Sequence, residues 1–465
     1  MTIIKFGTDG WRAIIAQEFT TENVARVAYA TALWIKENSE NHSAVVGFDC
    51  RFGGKLFTET TISVLINEGI TVYASENFVS TPMVSLSTTI HSAYTGIVIT
   101  ASHNPPSYNG FKIKAHYGGP VVQAEIDAVE TKIPSEFKAT IFPFDTLKDH
   151  KLVHIIDMEQ EYIDHVRNNF DIDKINTCGL KFGYDAMYGA GQNVIRRLIP
   201  NATLLHADYN PSFDGQAPEP IAKNLTEFSN LIANSDIDSG LATDGDADRI
   251  GLFDNNGKFI DSHHIILLLI RYLVEFKQED GNVYTSFSCT SKIKLICEHY
   301  GLNHHVTKIG FKYICEEMIS NPSLLGGEES GGIAVNSHIP ERDGIWMGLI
   351  LWEYMANTGK SLNTLIEEVY QITGSFAMDR YDLHLPEEQK QAIIKQCKEK
   401  SFYNFEDYQV TGFEDIDGFK FLLNEDNWVM IRPSGTEPVL RVYAQAENSD
   451  EVLKILDATK ATILS

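Results

Sequence analysis

The chain has 465 residues, too many for one ordinary hydrophobic core, and its length implies about three or four domains. Hydrophobic residues make up 43% and charged residues 22%, the balance of a folded globular protein. Asp plus Glu number 63 against 38 Lys plus Arg, a formal charge of −25, which argues against broad binding to nucleic acid or to an anionic membrane and obliges any anion site to gather its cations locally.

Met1 to Gly7 shows no charged region followed by an apolar stretch, so no signal peptide is expected. Apolar residues at helical spacing (Val24, Val27, Ala28, Trp34, Ile35) predict a first helix capped near Thr20-Thr21. A buried strand over Ala44 to Asp49 follows, then a helix from Thr58 to Glu68, a strand at Ile70 to Ala74, and another buried strand from Thr95 to Thr100. Strands alternating with helices imply βαβ units and a mainly parallel sheet. The pattern weakly repeats at Leu180 to Asp185 and Ser239 to Asp244, and each apolar strand ends in Asp. Asp49, Asp185 and Asp244 are thereby expected at carboxyl ends of strands, where open α/β sheets bind ligands. The run Ile265 to Ile270, closed by Arg271, is too short to span a membrane and reads as a buried helix. Breaks near Phe142 to Lys151, Asn255-Asn256-Gly257 and Thr373-Gly374-Ser375 divide the chain into 1–145, 146–256, 257–373 and 374–465. The first three pieces read as α/β; the last, with a charged helix at Glu387 to Lys400, strands at Phe419 to Leu423 and Val429 to Ile431, and an amphipathic helix from Val452 to Leu464, reads as α+β. The six cysteines form no Cys-x-x-Cys pair or zinc spacing, so buried free thiols in a reducing cytoplasm are expected.

Five segments carry chemistry. In Thr100-Ala101-Ser102-His103-Asn104-Pro105 a hydroxyl is presented on a turn after a buried strand. In Asp244-Gly245-Asp246-Ala247-Asp248-Arg249 three carboxylates at alternate positions can converge on one hard cation. An EF-hand is excluded, since Arg249 and Asn255 stand where it needs Gly and a carboxylate; an acidic triplet suits Mg²⁺ in phosphoryl transfer, with Arg249 as a phosphate fork. In Gly326-Gly327-Glu328-Glu329-Ser330-Gly331-Gly332 the backbone can approach a ligand closely, and Glu328 and Ser330 can accept from vicinal sugar hydroxyls. In Arg432-Pro433-Ser434-Gly435-Thr436-Glu437-Pro438 successive N–H groups, hydroxyls and an Arg form an anion nest. In Phe6 to Arg12 a glycine-rich turn places Arg12 within reach of a phosphate; Lys112 and Arg342 are further isolated cations. Taken singly, the serine, sugar and anion segments read equally well as ordinary turns.

In this order, spanning Gly7 to Pro438, the segments resemble the α-D-phosphohexomutase superfamily, which includes phosphoglucomutases, phosphomannomutases and phosphoglucosamine mutases. The resemblance implies a heart-shaped, four-domain protein, three α/β domains with mixed sheets and a smaller fourth fold. It implies that Ser102 carries the phosphoryl group, with Asp244, Asp246 and Asp248 holding Mg²⁺ together with Ser102. Glu328 and Ser330 would grip the sugar, and Arg432, Ser434, Gly435 and Thr436 the distal phosphate. Arg12, Lys112, Arg249 and Arg342 would surround the reacting group. The implied reaction interconverts hexose 1-phosphate and hexose 6-phosphate through a hexose 1,6-bisphosphate. Glu329 and Gly332 resemble the phosphoglucomutase version of the sugar segment, where other members have another residue and a His, which favours glucose over mannose or glucosamine. Arg342 stands where some members have Lys. His103, Lys112 and Arg342 are all candidates for the general base, and a monomer and a homodimer are both compatible with the sequence. A metal-dependent phosphatase and an inactive sugar-phosphate-binding protein are the competing readings; the first lacks the His ligands that a second metal would need near the triplet.

Overall fold

The computed structural model describes residues 3–433 and 439–465. Ser434, Gly435 and Thr436, expected in the anion nest, lie outside the described residues.

The first sheet has six strands in the order Trp11–Ile14, Tyr108–Ala115, Thr95–Ile99, Ser43–Phe48, Thr71–Ala74, Val153–Ile155. The central strands run parallel and Tyr108–Ala115 is antiparallel to both neighbours, so the sheet is mainly parallel and mixed at one edge, as the resemblance implied. Its first helix, Thr21–Asn38, is capped by the Thr20 hydroxyl, which accepts from the Asn23 N–H, and buries Val24, Val27, Ala28, Trp34 and Ile35 as the spacing requires.

The second sheet is ordered Phe259–Ile260, Ile250–Asp254, Ser239–Thr243, Phe182–Asp185, Thr203–Leu205, and the third His304–Thr307, Asn282–Ser286, Ser323–Gly327, Ile333–Val335. At two of the expected breaks the sheets run on a short way. Val153–Ile155 pairs in parallel with Thr71–Ala74, so the first sheet extends past residue 145. Asn255-Asn256-Gly257 is the turn of a hairpin between Ile250–Asp254 and Phe259–Ile260, not a linker. Both breaks were read from turn residues, and turns punctuate strands inside a domain as readily as domains themselves. The last sheet, Ala377–His384, Val439–Ala446, Trp428–Pro433, Phe419–Leu422, Gly412–Glu414, is wholly antiparallel and is covered by the helix Ser449–Leu464.

One continuous apolar cluster runs from Val45 in the first module to Phe376, enclosing the helices Ser262–Glu275 and Gly344–Thr358 nearly all round, while the last module has a core of its own. The first three modules are therefore fixed to one another by burial, and side chains from each can meet at a defined point. No described helix is long and apolar enough to cross a membrane.

Candidate active site

That point is the carboxyl end of the strands Thr95–Ile99 and Ser239–Thr243. Ser102 is 1% exposed, and its backbone is left-handed, φ 51°. Such a conformation costs a non-glycine residue about 1–3 kcal/mol. It aims Oγ at Asp244, whose Oδ2 accepts the hydroxyl at 2.7 Å, while His103 Nδ1 lies 3.2 Å from the same oxygen.

Asp244, Asp246 and Asp248 are fully buried and offer carboxylate oxygens within 4.8 Å of one another, the one such cluster among the described residues. The turn that brings them together needs Gly245, where a Cβ would stand 2.5 Å from the Ser102 carbonyl, and Ala247 in the left-handed region at φ 58°. Asp244 Oδ1 accepts the N–H groups of Asp248 and Arg249. Asp246 Oδ2 accepts from Thr81 Oγ1 at 2.5 Å, at the start of the helix Thr81–Ile90. Oδ1 of Asp246 and Oδ1 of Asp248 are buried with no hydrogen-bond partner. Orphaned hard oxygens on a convergent acidic set are what a divalent cation such as Mg²⁺ requires, so the residues present fit such an ion.

Cations from two domains close on this triplet. Lys112 Nζ lies 2.8 Å from Asp246, 3.0 Å from Asp248 and 2.9 Å from Asp9. Arg342 Nη2 reaches Asp248 at 2.7 Å and also pairs with Asp9. Lys114 joins Asp9 at 3.2 Å to Glu341 at 2.6 Å. Burial alone would lower the Lys112 ammonium, but Asp246, Asp248 and Asp9 outweigh it and hold it above the usual lysine range. Arg342 is likewise held high, against burial, by Asp248, Asp9 and Glu341. Burial and then the charges of Asp248 and Asp246 push the Asp244 carboxyl well above the usual range. Asp246 goes the opposite way: burial would raise it, but Lys112 and the hydrogen bonds from Lys112 and Thr81 hold it low. Burial, assisted by Arg249 and Arg12, keeps the His103 imidazole neutral, far below its usual value.

The remaining expected residues are distributed around this centre. Arg12 Nη1 donates to Asn104 Oδ1 at 2.8 Å. Arg249 has Glu219 at 3.7 Å, and its Nε is buried without a partner. Glu328 Oε1 accepts the Gly310 N–H at 2.9 Å, and burial raises its carboxyl to about 7 although Arg342 and Arg249 oppose that shift. Ser330 sits on the half-buried turn beside it. Glu329 turns away from Glu328: its Oε2 accepts from Ser288 at 3.1 Å and its Oε1 faces Arg380 of the last module at 3.4 Å. Arg432 pairs with Asp417 at 3.3 Å, Asp417 accepts the Ile309 N–H at 2.9 Å, and Arg432 borders a cavity of about 380 Å³ with Lys390 and Lys398.

Sequence reasoning missed Asp9, Lys114, Glu341, Thr81 and Arg51. Asp9 and Glu341 stood inside segments already singled out for their arginines, and an acid beside each arginine was a usable signal. Thr81 carried none.

A buried hydroxyl facing an acidic triplet, with cations drawn from separate modules, defines an enzyme of phosphoryl transfer. Four consecutive stretches match models of one family: residues 4–140 its phosphoglucomutase/phosphomannomutase alpha/beta/alpha domain I, 160–257 domain II, 261–372 domain III and 385–461 its C-terminal domain. The chain belongs to the phosphoglucomutase/phosphomannomutase family of the α-D-phosphohexomutase superfamily, whose members are intramolecular phosphotransferases. It is 28% identical to a phosphoglucomutase/phosphomannomutase of Thermococcus kodakarensis, over 97% of this chain and 96% of the relative. It is 27% identical to a phosphoglucosamine mutase of Clostridium botulinum, over 99% of each. A crystal structure from Thermus thermophilus, provisionally assigned as a phosphomannomutase, superposes with a TM-score of 0.87 at 30% identity and full coverage of both chains.

Proposed function

We propose that this enzyme interconverts hexose 1-phosphate and hexose 6-phosphate, with glucose as the first substrate and mannose as the second, by passing a phosphoryl group between Ser102 and the sugar. The observation that carries the reading is Ser102 Oγ, aimed by a strained backbone at Asp244 within a buried triplet that has two unpartnered oxygens. Asp244, Asp246 and Asp248 would hold Mg²⁺, which supplies charge neutralisation at the phosphoryl group. Arg12 and Arg249, the latter with an unpartnered Nε, would meet that group. Glu328 and Ser330 take the sugar hydroxyls, and Arg432 with Ser434, Gly435 and Thr436 takes the phosphate that does not react. The hexose 1,6-bisphosphate formed in the first half turns over and returns its other phosphoryl group to Ser102, so the same bisphosphate can prime the enzyme. Of the three candidate bases, Lys112 and Arg342 are engaged by carboxylates, whereas His103 Nδ1 lies 3.2 Å from Ser102 Oγ, where it could take the serine proton as the bisphosphate returns its phosphoryl group.

Action on glucosamine phosphate is the second reading, favoured by near-equal identity to relatives of both names. Glu329 supports glucose less than its place in the motif suggested, since its side chain is engaged by Ser288 and Arg380. A coupled assay comparing glucose, mannose and glucosamine 1-phosphates, each with a catalytic amount of hexose 1,6-bisphosphate, separates the readings. Turnover of the glucosamine ester alone selects the second, and release of inorganic phosphate without isomer selects a phosphatase. Ser102→Ala should abolish isomerisation with the fold intact, and activity near wild type in that variant would overturn the assignment.

A further inference from the structure

Arg51 makes no ion pair with the acidic triplet, yet it is almost fully enclosed, at 1% exposure. It lies three residues beyond the strand Ser43–Phe48 and spends its fork on main-chain carbonyls. Nη2 donates to the carbonyls of Ser102 and, at 2.7 Å, Asn104; Nη1 donates to those of Pro105 at 3.0 Å and Tyr108 at 3.2 Å. Its Nε faces Asp49 Oδ2 at 3.3 Å, and the Phe213 ring of the second module lies 5.0 Å from the guanidinium carbon. Asp49 also accepts from Thr100 Oγ1 at 2.5 Å, and Thr100 Oγ1 in turn accepts the Ser102 N–H at 2.9 Å.

Both peptide groups of Ser102 are thus held from one source. Its N–H is fixed through Thr100 and Asp49, its carbonyl by Arg51 directly. The same carbonyl leaves no room for a Cβ at Gly245, so the acidic turn packs against the clamped peptide. A residue at φ 51° persists only where its surroundings over-determine it, and Arg51 with Asp49 is what over-determines this one. We propose that Arg51 is the positioning residue of the phosphoryl-carrying loop, locking Ser102 in its left-handed conformation so that Oγ faces Asp244. The proposal rests on the reading of Ser102 as the phosphoryl carrier. A lysine cannot replace the fork, because a single ammonium on a flexible stem cannot serve four carbonyls in a plane.

The test is a single-turnover measurement on the full chain, preloaded with hexose 1,6-bisphosphate and mixed with hexose phosphate. The rate constant per phosphorylated molecule does not depend on how much of the sample is folded. For Arg51→Lys it should fall about 100-fold, the scale of an ångström-level misplacement of reacting atoms, with KM within about threefold of wild type. Added guanidinium ion should restore part of the rate to Arg51→Ala. A rate constant for Arg51→Lys within about threefold of wild type overturns the proposal. If that variant does not fold, Asp49→Asn, which keeps the guanidinium and the shape of its partner, carries the same measurement: a slower transfer supports the clamp and an unchanged one overturns it. A wild-type chain that takes up no phosphoryl group on Ser102 refutes the functional reading itself, and with it the proposal; a working wild type with unaffected variants refutes the role of Arg51 alone.

Discussion

Gly332→Ala is a one-carbon perturbation with a calculable consequence. A Cβ at position 332 would stand 2.4 Å from Cδ and 3.1 Å from Cγ of Arg342, where ordinary contact begins at 3.4 Å, so the arginine stem must retreat by about 1 Å. That stem carries the Nη2 that joins Asp248 at 2.7 Å and also pairs with Asp9, linking the third module to the other two. Misplacing a group beside the reacting centre by this distance costs about 100-fold in rate, or about 2.7 kcal/mol of transition-state free energy. Two of the three positions at which the sequence differs from some mutases of the resemblance, 332 and 342, therefore touch: a glycine at 332 makes room for an arginine at 342. Steady-state kcat/KM of Gly332→Ala should drop by about two orders of magnitude. In a double-mutant cycle with Arg342→Lys, whose stem lacks the fork that pins it, the combined loss should be smaller than the sum of the single losses. A kcat/KM within about threefold of wild type for Gly332→Ala, or strict additivity in the cycle, would refute the steric coupling.

Asp246→Asn should raise the Mg²⁺ concentration for half-maximal activity at least about tenfold, since even the groups that merely orient metal ligands are worth that much; an unchanged metal titration removes the triplet from the site. Glu328 ionises near 7, so kcat/KM should decline as pH falls through that value and Glu328→Gln should flatten the limb. Because its folded value lies above the ordinary 4.5, the folded chain binds the extra proton between those limits and loses stability as pH rises through them; Glu328→Gln should then be the more stable chain at pH 8, by up to about 3 kcal/mol, measured by denaturant unfolding. Lys420 is buried against Phe287 and Trp428, donates to the Phe287 carbonyl, and is brought down by burial to about 8. The unfolded chain binds more protons between pH 8 and 10.5, so wild-type stability should rise across that window, and Lys420→Met should abolish the rise.

Much of this arrangement was legible in the sequence because local signals and global packing agreed. Thr20 caps the first helix where a Thr-Thr pair precedes an apolar period, and Asp244 stands at a strand end because a buried run terminates in a charge. The triplet was legible because three acids at alternate positions have no inexpensive explanation beside a buried sheet. What stayed hidden depends on long-range register. Thr81 meets Asp246 across 165 residues, and no local pattern marks a threonine as a carboxylate's partner. Val153–Ile155 is too short and too exposed to announce itself, and only its pairing with Thr71–Ala74 makes it a strand of the first sheet. Nothing local marks Arg51; four carbonyl acceptors that the sequence displays only as Ser, Asn, Pro and Tyr make it a clamp.

A chain with a net charge of −25 can still gather cations at one site, and the site divides them between two tasks. Four carboxylates, Asp9, Asp246, Asp248 and Glu341, face Lys112, Lys114 and Arg342, while Asp244 stands beside them on the Ser102 hydroxyl, where a divalent ion would favour its ionisation. These three cations are committed to acids and hold three modules in register. Among the described residues Arg12 donates to the Asn104 amide oxygen and makes no ion pair, although Asp9 attracts it, and Arg249 has a distant carboxylate and an unpartnered Nε. Both lie close enough to His103 to depress its imidazole, and in the proposed function it is these two that meet the incoming phosphoryl group. Exposed charges are screened within about 8 Å at physiological salt, so much of the acidic exterior is screened from these two half-buried arginines. An acidic protein can therefore handle an anionic substrate, provided its own carboxylates are answered by dedicated lysines and a metal, leaving two arginines for the chemistry.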